Sequence, residues 1–170
     1  MRAAQKRGHA VFVALQENSD VFSDIAAMAF ALAGIGRDES MRRSFIFLSS
    51  ENFFSLMGVK PAIGRFYTAA ECGPNANIPV VVASYPYWKK LGGRADLIGK
   101  PLTVNGQDYT LIGVTPEGFS GTNAILAPDL WLPLGASRGS ARPSATPAAR
   151  WTWTRRKITP STWSRGCVLA

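Results

Sequence analysis

The sequence predicts an α+β fold: a small mixed sheet with hairpins, short helices packed on it, and a disordered basic C-terminal tail. Three observations carry this reading. Short charge-free runs rich in β-favouring residues recur between turn signals, those over 44–48 and 80–83 being the clearest. An Asn105-Gly106 pair joins two further runs of the same kind. Two short stretches with helical apolar spacing, 49–58 and 84–91, each begin at serine and run to glycine. At 170 residues, 46% hydrophobic and 18% charged, the chain has room for one domain with its own core and not for two large ones.

In chain order, residues 1–8 are a short basic lead-in, 9–137 the patterned body and 138–170 the tail. Residues 11–18 read as a helix with Val11, Ala14 and Leu15 on one face. Residues 20–28 read as a capped helical turn feeding an extended stretch over 29–35, although alanine-rich 25–32 also fits a continued helix. A polar turn over 36–40 follows, and 44–48 then pairs back on the preceding stretch as a hairpin. Residues 49–58 form a capped helix that turns Phe53, Leu56 and Met57 to the core and stops at Gly58.

The β-branched run 80–83 fits a buried central strand. Ser84 caps the next helix, Pro86 sits in its first turn, and Gly92-Gly93 stops it. Strands over 102–104 and 107–114 meet at Asn105-Gly106, which supplies the positive φ at both central positions of a type I′ turn. Pro116-Glu117-Gly118-Phe119 ends that strand. A last apolar stretch, 129–134, reads as an edge strand because Pro133 cannot donate to a ladder. Phe53, Phe54, Phe66, Tyr85, Tyr87 and Trp88 read as core aromatics rather than a ligand cage.

The net charge of +8 suggests nucleic acid or an anionic surface until its placement is read. Seven basic residues and no acidic one follow from Arg138 onward, which leaves 12 basic against 11 acidic before it. A body near neutrality offers no footprint for a phosphate backbone. The tail is rich in Arg, Ser, Thr, Ala, Pro and Trp, without apolar periodicity; an out-of-frame C-terminus would have this composition. The best apolar run, 25–36, has 12 residues, short of the roughly 20 a membrane span needs. Polar His9, Gln16, Glu17 and Asn18 interrupt what would be the apolar region of a secretory signal.

No constellation for chemistry emerges. The one histidine, His9, lies in the lead-in region, so no Ser/His/Asp set can be built. The glycines of 34–36 and 113–121 have neither dinucleotide nor P-loop spacing. Asp96, Asp108, Glu117 and Asp129 stand singly, and Cys72 and Cys167 match no metal spacing. No catalytic residue, cofactor site or metal ligand is therefore assigned.

Three segments carry a resemblance. Residues 50–65 (SENFFSLMGVKPAIGR), with Asn52, Phe53, Gly58, Pro61, Gly64 and Arg65, resemble the S-x-N-(Y/F)-F-x-x-(L/M)-G-V-x-P-x-x-G-R signature of the MacB-like periplasmic core domain of ABC-transporter permeases. Residues 79–93 (PVVVASYPYWKKLGG), with Trp88, Gly92 and Gly93, resemble the strand-helix segment that follows it. Residues 98–119, with Gly99, Asn105, Gly106 and Gly113, are similar to the family's I-G-K-x-(L/I)-x-(L/V)-(N/D)-G hairpin and its I-G-V-x-P-x-x-F continuation. The order and spacing match the family over about 12–134.

The resemblance implies a non-catalytic extracytoplasmic domain between transmembrane helices of an FtsX-like permease, making partner or cargo contact or relaying motion during export. It implies as partners the remaining permease subunits or transmembrane segments and an ABC ATPase, with no cofactor and no nucleic acid. The matched residues are structural. Because this chain shows no span and the motifs stop near Gly135, it reads as a truncated or frameshifted permease product. Its place is the periplasmic face by resemblance, and the cytoplasm if it is expressed without a signal. Two other readings stay open: a small basic nucleic-acid-binding protein acting through the Arg/Trp-rich tail, and a small hydrolase using a serine or Cys72.

Overall fold

A computed structural model describes residues 24–37, 41–73, 76, 78–122, 127–136 and the backbone of 151–155. The helix expected over 11–18 lies outside them. The first element, β1 (Ile25–Ile35), is a strand from its first residue, so the helical alternative for 25–32 does not hold. Alanine favours a helix by only tenths of a kcal/mol per residue. Here pairing overrides it: β2 (Arg42–Ser49) runs antiparallel along 28–35 of β1, and another strand covers 25–29 of the opposite edge. The expected hairpin between β1 and β2 is present, with Leu32 opposite Phe45.

Helix α1 (Phe53–Leu56) is a single turn. It buries Phe53, packs the half-buried Leu56 and Met57 against the same core as expected, and also buries Phe54. A one-turn helix lying flat can bury two consecutive side chains, and both phenyl rings lie 5.4 Å from the Trp131 ring. The short β3 (Ile63–Gly64) and α2 (Ala69–Cys72) follow. Strand β4 (Val80–Ala83) is fully buried, as its charge-free run predicts. Ser84 caps α3 (Tyr85–Lys90) by accepting from the Tyr87 amide at 3.3 Å.

Strands β5 (Pro101–Val104) and β6 (Gln107–Val114) form the expected hairpin. Its turn residues Asn105 and Gly106 have φ of 49° and 79°, the left-handed pair that a type I′ turn requires. Strand β7 (Leu130–Pro133) is not an edge strand: it lies between β2, which it parallels, and β4. Pro133 is tolerated because it is the last residue of β7, beyond Leu130 and Trp131, which alone pair with β4. Within the tail, Trp151–Arg155 forms β8 along the edge of β1, and the rest of 137–170 lies outside the described residues.

The pairings run β2-β7-β4-β6-β5-β1, and the β1–β2 ladder closes them into a ring, with β3 attached to β6 and β8 to β1. Parallel β2–β7 and β4–β6 pairs make the sheet mixed. Alternate residues separate onto two cores. Ile46, Leu48, Val81, Ala83, Leu130 and Leu132 join one around Tyr87, Trp88 and Tyr109. Phe47, Val80, Val82 and Trp131 join the other, around Phe53, Phe54 and Tyr67. Burial on both faces explains why these strands are continuously apolar rather than alternating. Among the described residues, no helix is long and apolar enough to cross a membrane.

Candidate functional site

The signature residues of 50–65 gather where α1, β3 and α2 meet the sheet. Ser50 donates its amide to the Ala27 carbonyl at 2.9 Å, and its Oγ accepts from the Ala27 amide at 3.1 Å. Asn52 makes no side-chain cap on α1. Its Nδ2 instead donates to Asp24 Oδ1 at 2.6 Å and to the Ile25 carbonyl at 2.8 Å, fastening the start of β1 to the start of α1.

Gly64 pairs with Gly113 where β3 crosses β6. A Cβ on Gly113 would stand 2.1 Å from the Arg65 carbonyl oxygen, and one on Gly64, where φ is 72°, would stand 2.2 Å from the Ile112 oxygen. Only glycine lets the two backbones approach this closely. The crossing sets Arg65 beside α2, where Nη1 and Nη2 donate to Glu71 Oε2 and Oε1 at 2.8 and 2.6 Å. Thr68 contributes its amide to Glu71 Oε2 at 2.8 Å, completing a capping box. The Arg65 guanidinium, ahead of the opposing effect of burial and with help from Thr68, holds the Glu71 carboxyl down at about 2.

Beside this pair, the Tyr67 hydroxyl and Ser49 Oγ are hydrogen-bonded in the core, and burial raises the phenol well above its ordinary range. Burial also pushes the Cys72 thiol up, reinforced by the charges of Glu51 and Glu71. A carboxylate of so low a pKa, spent on a guanidinium and an amide, is a poor base. A buried thiol held protonated is a poor nucleophile. Among the described residues, no three His, Cys, Asp or Glu side chains gather as a metal site.

The other motif residues brace different corners. Phe53 is in the aromatic core, while Pro61 and Gly58 lie in the loop between α1 and β3. Trp88 Nε1 donates to the Arg94 carbonyl at 3.0 Å, across the turn that holds Gly92 and Gly93. Gly99 donates its amide to the Leu111 carbonyl at 2.7 Å. Asn105 and Gly34 exchange two hydrogen bonds of 2.7 Å, through the Asn105 amide and Oδ1, joining the hairpin tip to β1. A shallow open cleft of about 390 Å³ is lined by Gly64, Arg65, Ile98, Gly99, Leu111 and Ile112. Its one ionisable group, Arg65, is already paired. Segments 50–65 and 98–119 thus meet at this cleft and at the Gly64–Gly113 crossing, while Trp88, Gly92 and Gly93 of segment 79–93 do not line it.

Sequence reasoning missed Glu71, Thr68 and Asp24. The first two carry a readable signal, Thr68-x-x-Glu71, the capping-box spacing. Asp24 carries none, since its partner Asn52 is distant in sequence.

Comparison with known proteins supplies the rest. The MacB-like periplasmic core domain matches over residues 5–160, past the end of the sequence motifs and through β8. No curated protein matches the sequence. The fold is similar to the periplasmic region of MacB from Actinobacillus actinomycetemcomitans, with TM-score 0.65 and 16% identity over 90% of this chain and 65% of that one. It is similar to the extracellular domain of the noncanonic ABC-type transporter YknZ from Gram-positive bacteria, with TM-score 0.61 and 17% identity over 76% and 64% of the two chains. A domain of a protein described as a permease, from Porphyromonas gingivalis, gives TM-score 0.61 and 18% identity over 88% and 62%. The chain thus spans just under two thirds of each solved structure. With the family's pattern matched across most of its length and the fold shared with these domains, this chain belongs to the MacB-like periplasmic core domain family.

Proposed function

We propose that the chain acts as the extracytoplasmic domain of an ABC-transporter permease, contacting a partner or cargo or relaying motion, with no chemistry of its own. The observation that carries this is the family match over residues 5–160. The geometry supports it: the polar groups at the motif junctions are spent on one another, as in a rigid mechanical body rather than an active site. On this reading hydrolysis of ATP and passage through the membrane belong to other segments or subunits, and the domain works on the periplasmic side.

Photo-crosslinking in living cells tests it, with the reactive group placed at exposed Lys60 or Lys89 of the full chain. The expected products are crosslinks to permease or other export-system components. Crosslinks only to cytoplasmic proteins or nucleic acid would overturn the reading.

A further inference from the structure

On one face of the β1–β2 hairpin, residues 30, 32 and 34 of β1 lie beside 47, 45 and 43 of β2. The first rung, Phe30 and Phe47, is absorbed into the aromatic core beside Trp131 and α1. The next rung is not covered: Leu32 is 38% exposed and Phe45 37%, although the two are direct cross-strand neighbours. Beyond them Met41 is 53% exposed and lies over Gly34, its sulfur 2.8 Å from where a Cβ of Gly34 would stand. An apolar strip therefore runs out of the core to the end of the hairpin with nothing described upon it.

Among the described residues its charge is one-sided. Strand β1 has no ionisable residue, and β2 has only Arg42 and Arg43. Arg42 shares the opposite face with Ile35, which leaves Arg43, exposed and opposite Gly34, at the end of the strip. Asp129, the carboxylate hydrogen-bonded to β2, reaches it through Ser44, on the other face. Among the described residues no carboxylate pairs with Arg43; Asp38 and Glu39 of the connecting turn lie outside them. Contiguous uncovered apolar side chains mark interaction surfaces more often than isolated ones do. A lone cation at the rim selects the partner's charge.

We propose that this strip, Leu32, Phe45 and Met41 ending at Arg43, is a docking surface for a partner-protein segment that presents apolar side chains and a carboxylate. The proposal rests on the transporter-domain reading and says which face makes the contact. The test uses two short labelled peptides, one alternating leucine with glutamate and one alternating leucine with lysine, titrated against the full chain and followed by fluorescence anisotropy. The glutamate peptide should bind about tenfold more tightly than the lysine peptide at low salt. Phe45→Ser should abolish binding, and Arg43→Glu should reverse the preference. Should Phe45→Ser fail to fold, Arg43→Glu decides alone, because its side chain is exposed and unpaired among described residues.

Equal binding of both peptides, or binding indifferent to both substitutions, would overturn the proposal. So would either of two other results sensitive to Phe45→Ser: adsorption to phosphatidylglycerol vesicles, which would make the strip a lipid-facing surface, or concentration-dependent dimerisation, which would make it a self-interface. The crosslinking partners seen in cells do not depend on this peptide preference. Failure of one is therefore distinguishable from failure of the other.

Discussion

At neutral pH the Glu71 carboxylate takes two hydrogen bonds from Arg65 and two from Thr68. The carboxyl titrates near 4.5 in the unfolded chain and about 2 in the folded one. A group whose folded pKa is depressed adds stability above its unfolded pKa and loses it as pH falls through the folded value. Urea unfolding followed against pH should therefore show stability falling between about 4.5 and about 2. Glu71→Gln should remove that part of the dependence. At pH 7 it should cost about 2 kcal/mol, since the half-exposed guanidinium is screened by water. Gly113→Ala should be worse, costing about 3 kcal/mol or preventing folding, because the new methyl meets backbone that cannot swing aside; thermal unfolding measures it. Gly64, Arg65 and Gly113 were legible as signature positions, and their physical reasons, the tight backbone crossing and the pairing with Glu71, depend on residues that fold together. The partnership of Asn52 with Asp24 was not legible, because it joins residues 28 apart and no local rule pairs them.

Elements with strong local chemistry formed where expected. The β5–β6 hairpin follows from Asn105-Gly106, and α3 from Ser84, Pro86 and the glycines after it. Replacing the cap, Ser84→Ala, should lower stability by about 1 kcal/mol and leave the β5–β6 amides as protected from hydrogen exchange as before. Elements decided by long-range pairing were harder to read. The N-terminal half of β1 is alanine-rich and locally suits a helix, yet ladders on both edges make it a strand. Likewise Pro133 signals an edge, but β7 is internal, because its ladder with β4 ends before the proline. Phe54 is buried beside Phe53 because α1 is too short for a helical face to apply.

The whole molecule is a closed ring of pairings with a core on each face, and Trp131, fully buried, meets Phe47, Phe53, Phe54 and Phe119 in one of them. Closure was not visible in the sequence, since it depends on β7 pairing with strands far from it in the chain. The α+β class, the hairpins and the family were visible, because local turn chemistry and three ordered motifs carry them. Among the described residues, the ionisable groups nearest the first motif, Arg65 and Glu71, are braces. On the function proposed above, this body works outside the cytoplasm as part of a permease. The most direct measurement places a cysteine at exposed Glu117 of the chain, in a Cys72→Ser, Cys167→Ser background, and treats intact cells with a membrane-impermeant maleimide. Labelling before lysis is the predicted result. Labelling only after the cytoplasmic membrane is broken would contradict it.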